Sequence, residues 1–129
     1  MNNYLITGLA HIGIMTDDPQ KCADFYVKYL GFSPFYTYAN DDVQLVFVEN
    51  GGCVIEFVRA ASEYTAGTVN HIALEVQGIE ALVENLRAQG IVFETEEITK
   101  MPDFFPNGVK NIFLTGPAGE RIELFDYSR

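Results

Sequence analysis

The chain has 129 residues, 48% of them hydrophobic and 20% charged, with a formal net charge of −10. That length predicts one globular domain able to bury about two-thirds of its unfolded surface, while the charge argues against nucleic acid, whose phosphates would meet a repulsive field. No apolar run approaches the roughly 18 residues of a membrane span, and Met1-Asn2-Asn3-Tyr4 lacks the basic and apolar regions of a secretory signal. A cytoplasmic location without membrane partners is therefore expected. The two cysteines, Cys22 and Cys53, form no CxxC motif and are expected to be buried reduced thiols.

Residues 5–15 predict a strand through Ile6, Leu9, Ile12, Ile14 and Met15. Thr16-Asp17-Asp18-Pro19 predicts a helix start, with an aspartate cap and proline in the first turn. Cys22, Phe25, Tyr26, Tyr29 and Leu30 recur at helical spacing, and Gly31 ends the helix. Strands are expected over 32–39, 43–49 and 53–58, separated by turns at Asn40-Asp41-Asp42 and Asn50-Gly51-Gly52. Residues 59–68 lose the apolar pattern and predict a linker.

The pattern then restarts. Residues 69–76 predict a strand, and Ile79, Leu82, Val83 and Leu86 mark a helix that stops at Gly90. Residues 91–97 are expected to be a strand and 98–108 a longer loop. Strands over 109–115 and 120–127 follow, joined by a turn at 116–119. The chain thus reads as βαβββ twice, and internal repeats decide architecture. The only two histidines, His11 and His71, lie 60 residues apart at matching places. Glu56 and Glu123 match at an offset of 67, and the seven extra residues fit the longer loop.

Side chains alternate along a strand. Ile12 and Ile14 share one face, leaving His11 and Gly13 on the other; Ile55 and Phe57 oppose Glu56; Ile72, Leu74 and Val76 oppose His71; Ile122 and Leu124 oppose Glu123. The aliphatic faces suit a covering helix. If the opposite faces line one concave surface, it carries His11, Glu56, His71 and Glu123. A carboxylate among strand aliphatics is costly to bury unpaired. Two glutamates and two histidines at matched positions satisfy one another through a metal, and the mixed N/O set suits Zn²⁺, Ni²⁺, Co²⁺, Mn²⁺ or Fe²⁺. Glu75 shares the parity of His71 and is expected at the rim. Arg121 shares that of Glu123, as a substrate contact or a charge-balancing surface residue.

These stretches resemble the vicinal oxygen chelate superfamily, of glyoxalases, bleomycin resistance proteins and dioxygenases, and most of all bacterial glyoxalase I (lactoylglutathione lyase). The resemblance covers nearly the whole chain. It rests on His11-Ile12-Gly13-Ile14, Asp24-Phe25-Tyr26, Tyr29-Leu30-Gly31-Phe32, Val54-Ile55-Glu56-Phe57, Asn70-His71-Ile72-Ala73-Leu74 and Gly116-Pro117-Ala118-Gly119 before Arg121-Ile122-Glu123-Leu124. It implies a single domain over 1–129 with an α+β fold, in which βαβββ modules at 5–58 and 69–127, joined by the 59–68 linker, pair into an open metal-binding cup. It implies His11, Glu56, His71 and Glu123 as ligands, in the His-Glu-His-Glu order of bacterial glyoxalase I, with Ni²⁺ or Zn²⁺ foremost. Methylmalonyl-CoA epimerases typically carry Gln at the second position, and extradiol dioxygenases use a His-His-Glu triad. Met15 departs from the pattern, standing about where glyoxalases commonly carry an Arg that contacts a glutathione carboxylate.

The implied activity is that of a metal-dependent lyase or isomerase, working by proton abstraction next to a carbonyl through a metal-bound enediolate. Glu123 is the preferred base and Glu56 the other. Alternatives are an epimerase-like or extradiol dioxygenase-like enzyme, or a small-molecule binding or resistance protein. Phe35, Tyr36, Phe104 and Phe105 are candidate walls of a substrate pocket. The last two sit between prolines, look exposed, and suit a lid or a dimer contact. A homodimer is expected, with metal sites held in one chain or shared between chains.

Overall fold

A computed structural model describes residues 3–117 and 119–127. The predicted turn at 116–119 therefore includes one residue, Ala118, that lies outside the described set. The elements run β1 (Leu5–Met15), α1 (Pro19–Leu30), β2 (Ser33–Ala39), β3 (Val43–Asn50), β4 (Cys53–Ala60), β5 (Val69–Gln77), α2 (Ile79–Ala88), β6 (Thr99–Met101), β7 (Val109–Thr115) and β8 (Arg121–Tyr127). Each half of the chain is thus βαβββ, in a sheet-dominated α+β fold. The chain forms two compact units, one of His11–Asn70 and the other of residues 3–10 with 71–127. β1 passes from one to the other between Ala10 and His11.

In the His11–Asn70 unit the strand order is β2-β3-β4-β1. β1 and β4 are parallel, with Ile12 opposite Ile55 and Gly13 opposite Glu56. β3 and β4 form a hairpin through Gly51 and Gly52, both at positive φ, a backbone region open to glycine at little cost. α1 begins as its sequence dictates: the Asp18 carboxylate accepts from the Lys21 amide at 3.0 Å, and Pro19 opens the first turn. It ends at Gly31 in the left-handed region, φ 76°, where the amide reaches the Tyr26 carbonyl. The helix lays Ala23, Cys22 and Tyr26 over Val46, Val48, Ile55 and Phe57, a packing in which full burial of one large apolar side chain contributes about 1.5–3 kcal/mol.

The predicted linker over 59–68 is tied down. Thr68 and Gly67 exchange backbone hydrogen bonds with Met15, at 3.0 and 2.7 Å. The Tyr64 hydroxyl donates to the Asp17 carboxylate at 2.5 Å, which raises its pKa above the usual phenol value. Cys22 and Cys53 are free thiols. Cys22 is half-buried, but Cys53 is exposed, contrary to expectation: it is the first residue of β4, opposite Asn50 at the hairpin turn.

In the other unit the order is β1-β5-β8-β7-β6. β5 and β8 are parallel, with Ile72 opposite Ile122 and Ala73 opposite Glu123. This is the same register as Ile12–Ile55 and Gly13–Glu56. α2 packs Ile79, Leu82 and Val83 on Val76, Ile112, Leu124 and Phe93. Its N-terminus has no cap from Gly78; instead Asp126, from β8, accepts from the Ile79 amide at 3.1 Å, a carboxylate placed at the positive end of the helix dipole.

The strand expected at 91–97 does not form. Several of its backbone groups bond elsewhere. Arg87 Nη2 donates to the carbonyls of Thr95 and Glu96, Thr95 Oγ1 donates to the Glu97 carbonyl, and the Glu94 amide reaches the Phe113 carbonyl. Val92 is 85% exposed, and only Phe93 enters the core. The pairing strand is instead the short β6, inside the expected loop, with Lys100 opposite Lys110.

Gly78 carries a close approach. Its φ is 75°, and a Cβ there would lie 2.1 Å from the Asn3 carbonyl oxygen. Gly90 also has positive φ, 91°, but open space around it. Gly90→Ala is therefore expected to cost only the backbone penalty of about 1–2 kcal/mol, and Gly78→Ala distinctly more. Urea denaturation of the two variants reads the difference; equal losses would mean that the Asn3 segment moves aside freely.

Candidate metal centre

Each unit buries one histidine beside one glutamate. In the first, His11 Nε2 lies 3.6 Å from Glu56 Oε1; in the second, His71 Nε2 lies 3.1 Å from Glu123 Oε1. None of the four residues is more than 7% exposed. The cause is local. A parallel ladder puts Gly13 beside Glu56, and Ala73 beside Glu123. These small residues leave room for each carboxylate to reach the imidazole two residues earlier on the same face. Of the apolar residues that parity sets on the other faces, Ile14, Ile55 and Phe57 pack with α1, and Leu74, Val76, Ile122 and Leu124 with α2.

The neighbouring strand of each unit adds an aromatic edge. Phe47, opposite Glu56 on β3, meets the His11 ring edge-on at 5.4 Å; Phe113, opposite Glu123 on β7, meets His71 edge-on at 5.6 Å. Aromatic pairs prefer this T-shape, and in each unit the histidine so packed has its Nε2 near the carboxylate. The donors suit a divalent cation. Two ligand atoms at bond lengths of 2.0–2.2 Å and a tetrahedral angle lie about 3.4 Å apart, close to the separation in both pairs.

The candidate pocket residues fall in their own units. β2 carries a bulge: Pro34 faces Val48 and Tyr36 faces Phe47, so Phe35 is the extra residue. The rings of Phe35 and Tyr36 both approach Phe47, at 6.3 Å, and Phe47 in turn meets His11. Phe104 and Phe105 are not exposed, as their sequence suggested, but 3% and 6% exposed. Phe105 takes φ 56°, uncommon for a bulky residue, and this turn sets Phe104 against Phe125 and Phe105 against both Phe125 and Tyr127. Phe125 is two residues beyond Glu123 and shares its face.

Arg121 is stacked on Phe113, its guanidinium carbon 3.7 Å from the ring centre, and its Nε and Nη2 each donate to Glu94 at 2.9 Å. This hydrogen bonding holds the Glu94 carboxyl below the usual carboxylate range. Whatever stability the half-exposed pair lends is present above the ordinary glutamate range and lost as pH falls through the lowered value. Glu75 accepts from the Thr7 hydroxyl at 2.8 Å. Met15 is buried. Sequence reasoning missed Asn111, whose Nδ2 donates to Glu123 Oε2 at 2.7 Å. Its parity with Phe113, the residue facing Glu123, was the available signal.

Two βαβββ halves, each with a buried His–Glu pair on the sheet face away from its helix, define a glyoxalase-like fold. A model of the Glyoxalase/Bleomycin resistance protein/Dioxygenase superfamily matches residues 10–124. The chain belongs to that superfamily. It is 35% identical over 122 residues to the uncharacterized protein YwbC of Bacillus subtilis (strain 168), covering 89% of this chain and 94% of the relative. Among solved structures, methylmalonyl-CoA epimerase from Mycobacterium tuberculosis superposes with a TM-score of 0.82 at 21% identity, covering 100% of this chain and 93% of the other. A variant of the Streptomyces coelicolor epimerase, in complex with 2-nitronate-propionyl-CoA, gives 0.79 at 23% identity over 96% of both chains. At these identities the structural matches establish the fold alone. No helix among the described residues is long and apolar enough to cross a membrane.

Proposed function

We propose that the chain is a divalent-metal-dependent enzyme that removes a proton from a carbon next to a carbonyl, as a glyoxalase-type lyase or isomerase, with His11, Glu56, His71 and Glu123 as the ligands. The observation that carries this reading is the repetition of one buried His–Glu pair in the same strand register in both units. A structural ion pair needs no such duplication, whereas a four-donor set does. Ni²⁺ or Zn²⁺ is foremost, and Co²⁺, Mn²⁺ and Fe²⁺ accept the same donors. The bound ion would supply Lewis acidity at the substrate oxygens and offset the two carboxylate charges.

The chain's own groups do the rest. Glu123, with Glu56 as the other candidate, takes the proton on a carboxylate oxygen and returns it. Phe35, Tyr36, Phe104 and Phe105 supply apolar surface that excludes water from the charged intermediate state. Arg121, already paired with Glu94, takes the charge-balancing role, with a substrate contact as the other reading. In this reading the substrate is a small molecule with adjacent oxygens, and the enzyme works in the cytoplasm as a homodimer. A monomer in solution that still holds its full complement of ion would rule out sites shared between chains.

The epimerase reading has its own support. The solved structures similar to this fold include methylmalonyl-CoA epimerases, and Met15 offers no charge for a glutathione carboxylate. Metal analysis of the purified protein, combined with an assay on the methylglyoxal–glutathione hemithioacetal, separates these ideas. Turnover of the hemithioacetal supports the glyoxalase. A metal-loaded protein that ignores it, yet washes solvent deuterium into the α-carbon of an acyl-CoA, is epimerase-like. A protein with no affinity for divalent ions has neither activity.

A further inference from the structure

The two units differ at one register position beside the glutamates. Two residues beyond Glu123, Phe125 faces Asn111 on β7; two residues beyond Glu56, Val58 faces Leu45 on β3. Asn111 and Leu45 are both buried, at 8% and 7% exposed. Burying an amide is costly unless its hydrogen bonds are made, and leucine, of nearly the same shape, fills the equivalent place without that cost. The Asn111 amide makes one specific bond, from Nδ2 to Glu123 Oε2 at 2.7 Å. The NH₂ end is the one that suits a carboxylate, which when ionised only accepts. The other oxygen of the same carboxylate, Oε1, faces His71 Nε2 at 3.1 Å. The two oxygens of Glu123 thus have different tasks: one is gripped from β7, the other is turned toward the imidazole.

We propose that Asn111 is a positioning residue that, by holding Oε2, fixes which oxygen Glu123 presents beside His71 and so pre-organises this half of the ligand set for a divalent cation. The inference rests on the metal-dependent reading above. At the matching register place on β3 stands the apolar Leu45, so this amide contact is a feature of the Glu123 half. The amide acts through Glu123, the side chain it bonds. Partners that orient a metal-binding side chain in this way typically contribute about 10- to 100-fold in metal affinity.

The test is a titration of the metal-free protein with Co²⁺, reading both the dissociation constant and the visible absorption of the bound ion, which reports ligand geometry. It uses wild type, Asn111→Leu, Asn111→Ala and Asn111→Gln, with circular dichroism as the check on folding. Asn111→Leu is expected to bind Co²⁺ about 10- to 100-fold more weakly with an altered visible spectrum, and Asn111→Gln, which keeps the amide, to recover part of both. If the leucine variant does not fold, Asn111→Ala is read in its place. Wild-type affinity and spectrum in the leucine or alanine variant would overturn the inference while leaving the metal reading intact. So would an equal loss in all three variants with an unaltered spectrum, which assigns Asn111 to packing. Failure of the wild type to bind Co²⁺ overturns the metal reading itself, and this inference with it.

Discussion

If His71 is a ligand as proposed, replacing it with leucine is expected to abolish divalent-ion binding by the purified protein. The substitution removes the Nε2 that faces Glu123 Oε1 at 3.1 Å and leaves a buried carboxylate beside an apolar side chain. A ligand lost outright costs more than a partner that only orients one, so the loss should exceed the roughly 10- to 100-fold typical of the latter. Glu56→Gln gives a useful contrast. It keeps an oxygen donor next to His11 but gives up a negative charge, and its affinity should fall between the wild type and His71→Leu. Metal content by plasma emission, after dialysis against metal-free buffer, ranks the three. A His71→Leu protein that retains its ion as the wild type does would end the proposal that His71 is a ligand.

Phe104→Ala should produce the largest loss of stability among the residues discussed, about 3–5 kcal/mol, the usual cost of emptying a buried phenylalanine site. The ring is 3% exposed, 5.0 Å from the Phe105 ring and 6.1 Å from that of Phe125. The loop also loses part of what holds Phe105 at its positive φ. An exposed lid residue would behave in the opposite way, costing little stability while changing substrate affinity. Chemical denaturation therefore distinguishes the two roles, and a loss below about 0.5 kcal/mol, the scale of ordinary surface substitutions, would return Phe104 to the lid.

What the sequence revealed, and what it hid, follows from the range of the forces involved. α1 was legible to the residue at its start, because Asp18, Pro19 and Gly31 act within one turn of where they stand. The four His and Glu positions were legible because strand parity and the repeat constrain one another. The segment 91–97 misled because its apolar residues resemble a strand, while its backbone is claimed by Arg87 from α2 and by its own Thr95. Phe104 and Phe105 misled because flanking prolines indicate a loop but not where its side chains turn; burial came from Phe125 and Tyr127, about twenty residues on. Asn111 was passed over because an asparagine in a strand acquires meaning only once its opposite strand is known. The 59–68 linker lacked an apolar pattern because, after Arg59 and Ala60 complete β4, its order comes from hydrogen bonds of Ala61 to Asp42, Tyr64 to Asp17, and Gly67 and Thr68 to Met15.

The two parallel ladders also bear on how the chain folds. The β3–β4 hairpin closes through Gly51 and Gly52, whereas pairing Ile12 with Ile55, or Ile72 with Ile122, requires the ends of a long loop to meet. Long closures lose more chain entropy before they gain contacts and tend to be slow. The pairings that bring each histidine beside its glutamate are thus expected to form late, after the hairpins and helices. An ion that recognises only these finished pairs would bind the native chain and not the transition state. Zn²⁺ added in a stopped-flow experiment should then slow unfolding while leaving the folding rate nearly unchanged, so that the ion acts as a latch on a completed fold rather than as a nucleus for it; acceleration of folding by Zn²⁺ would show the reverse order.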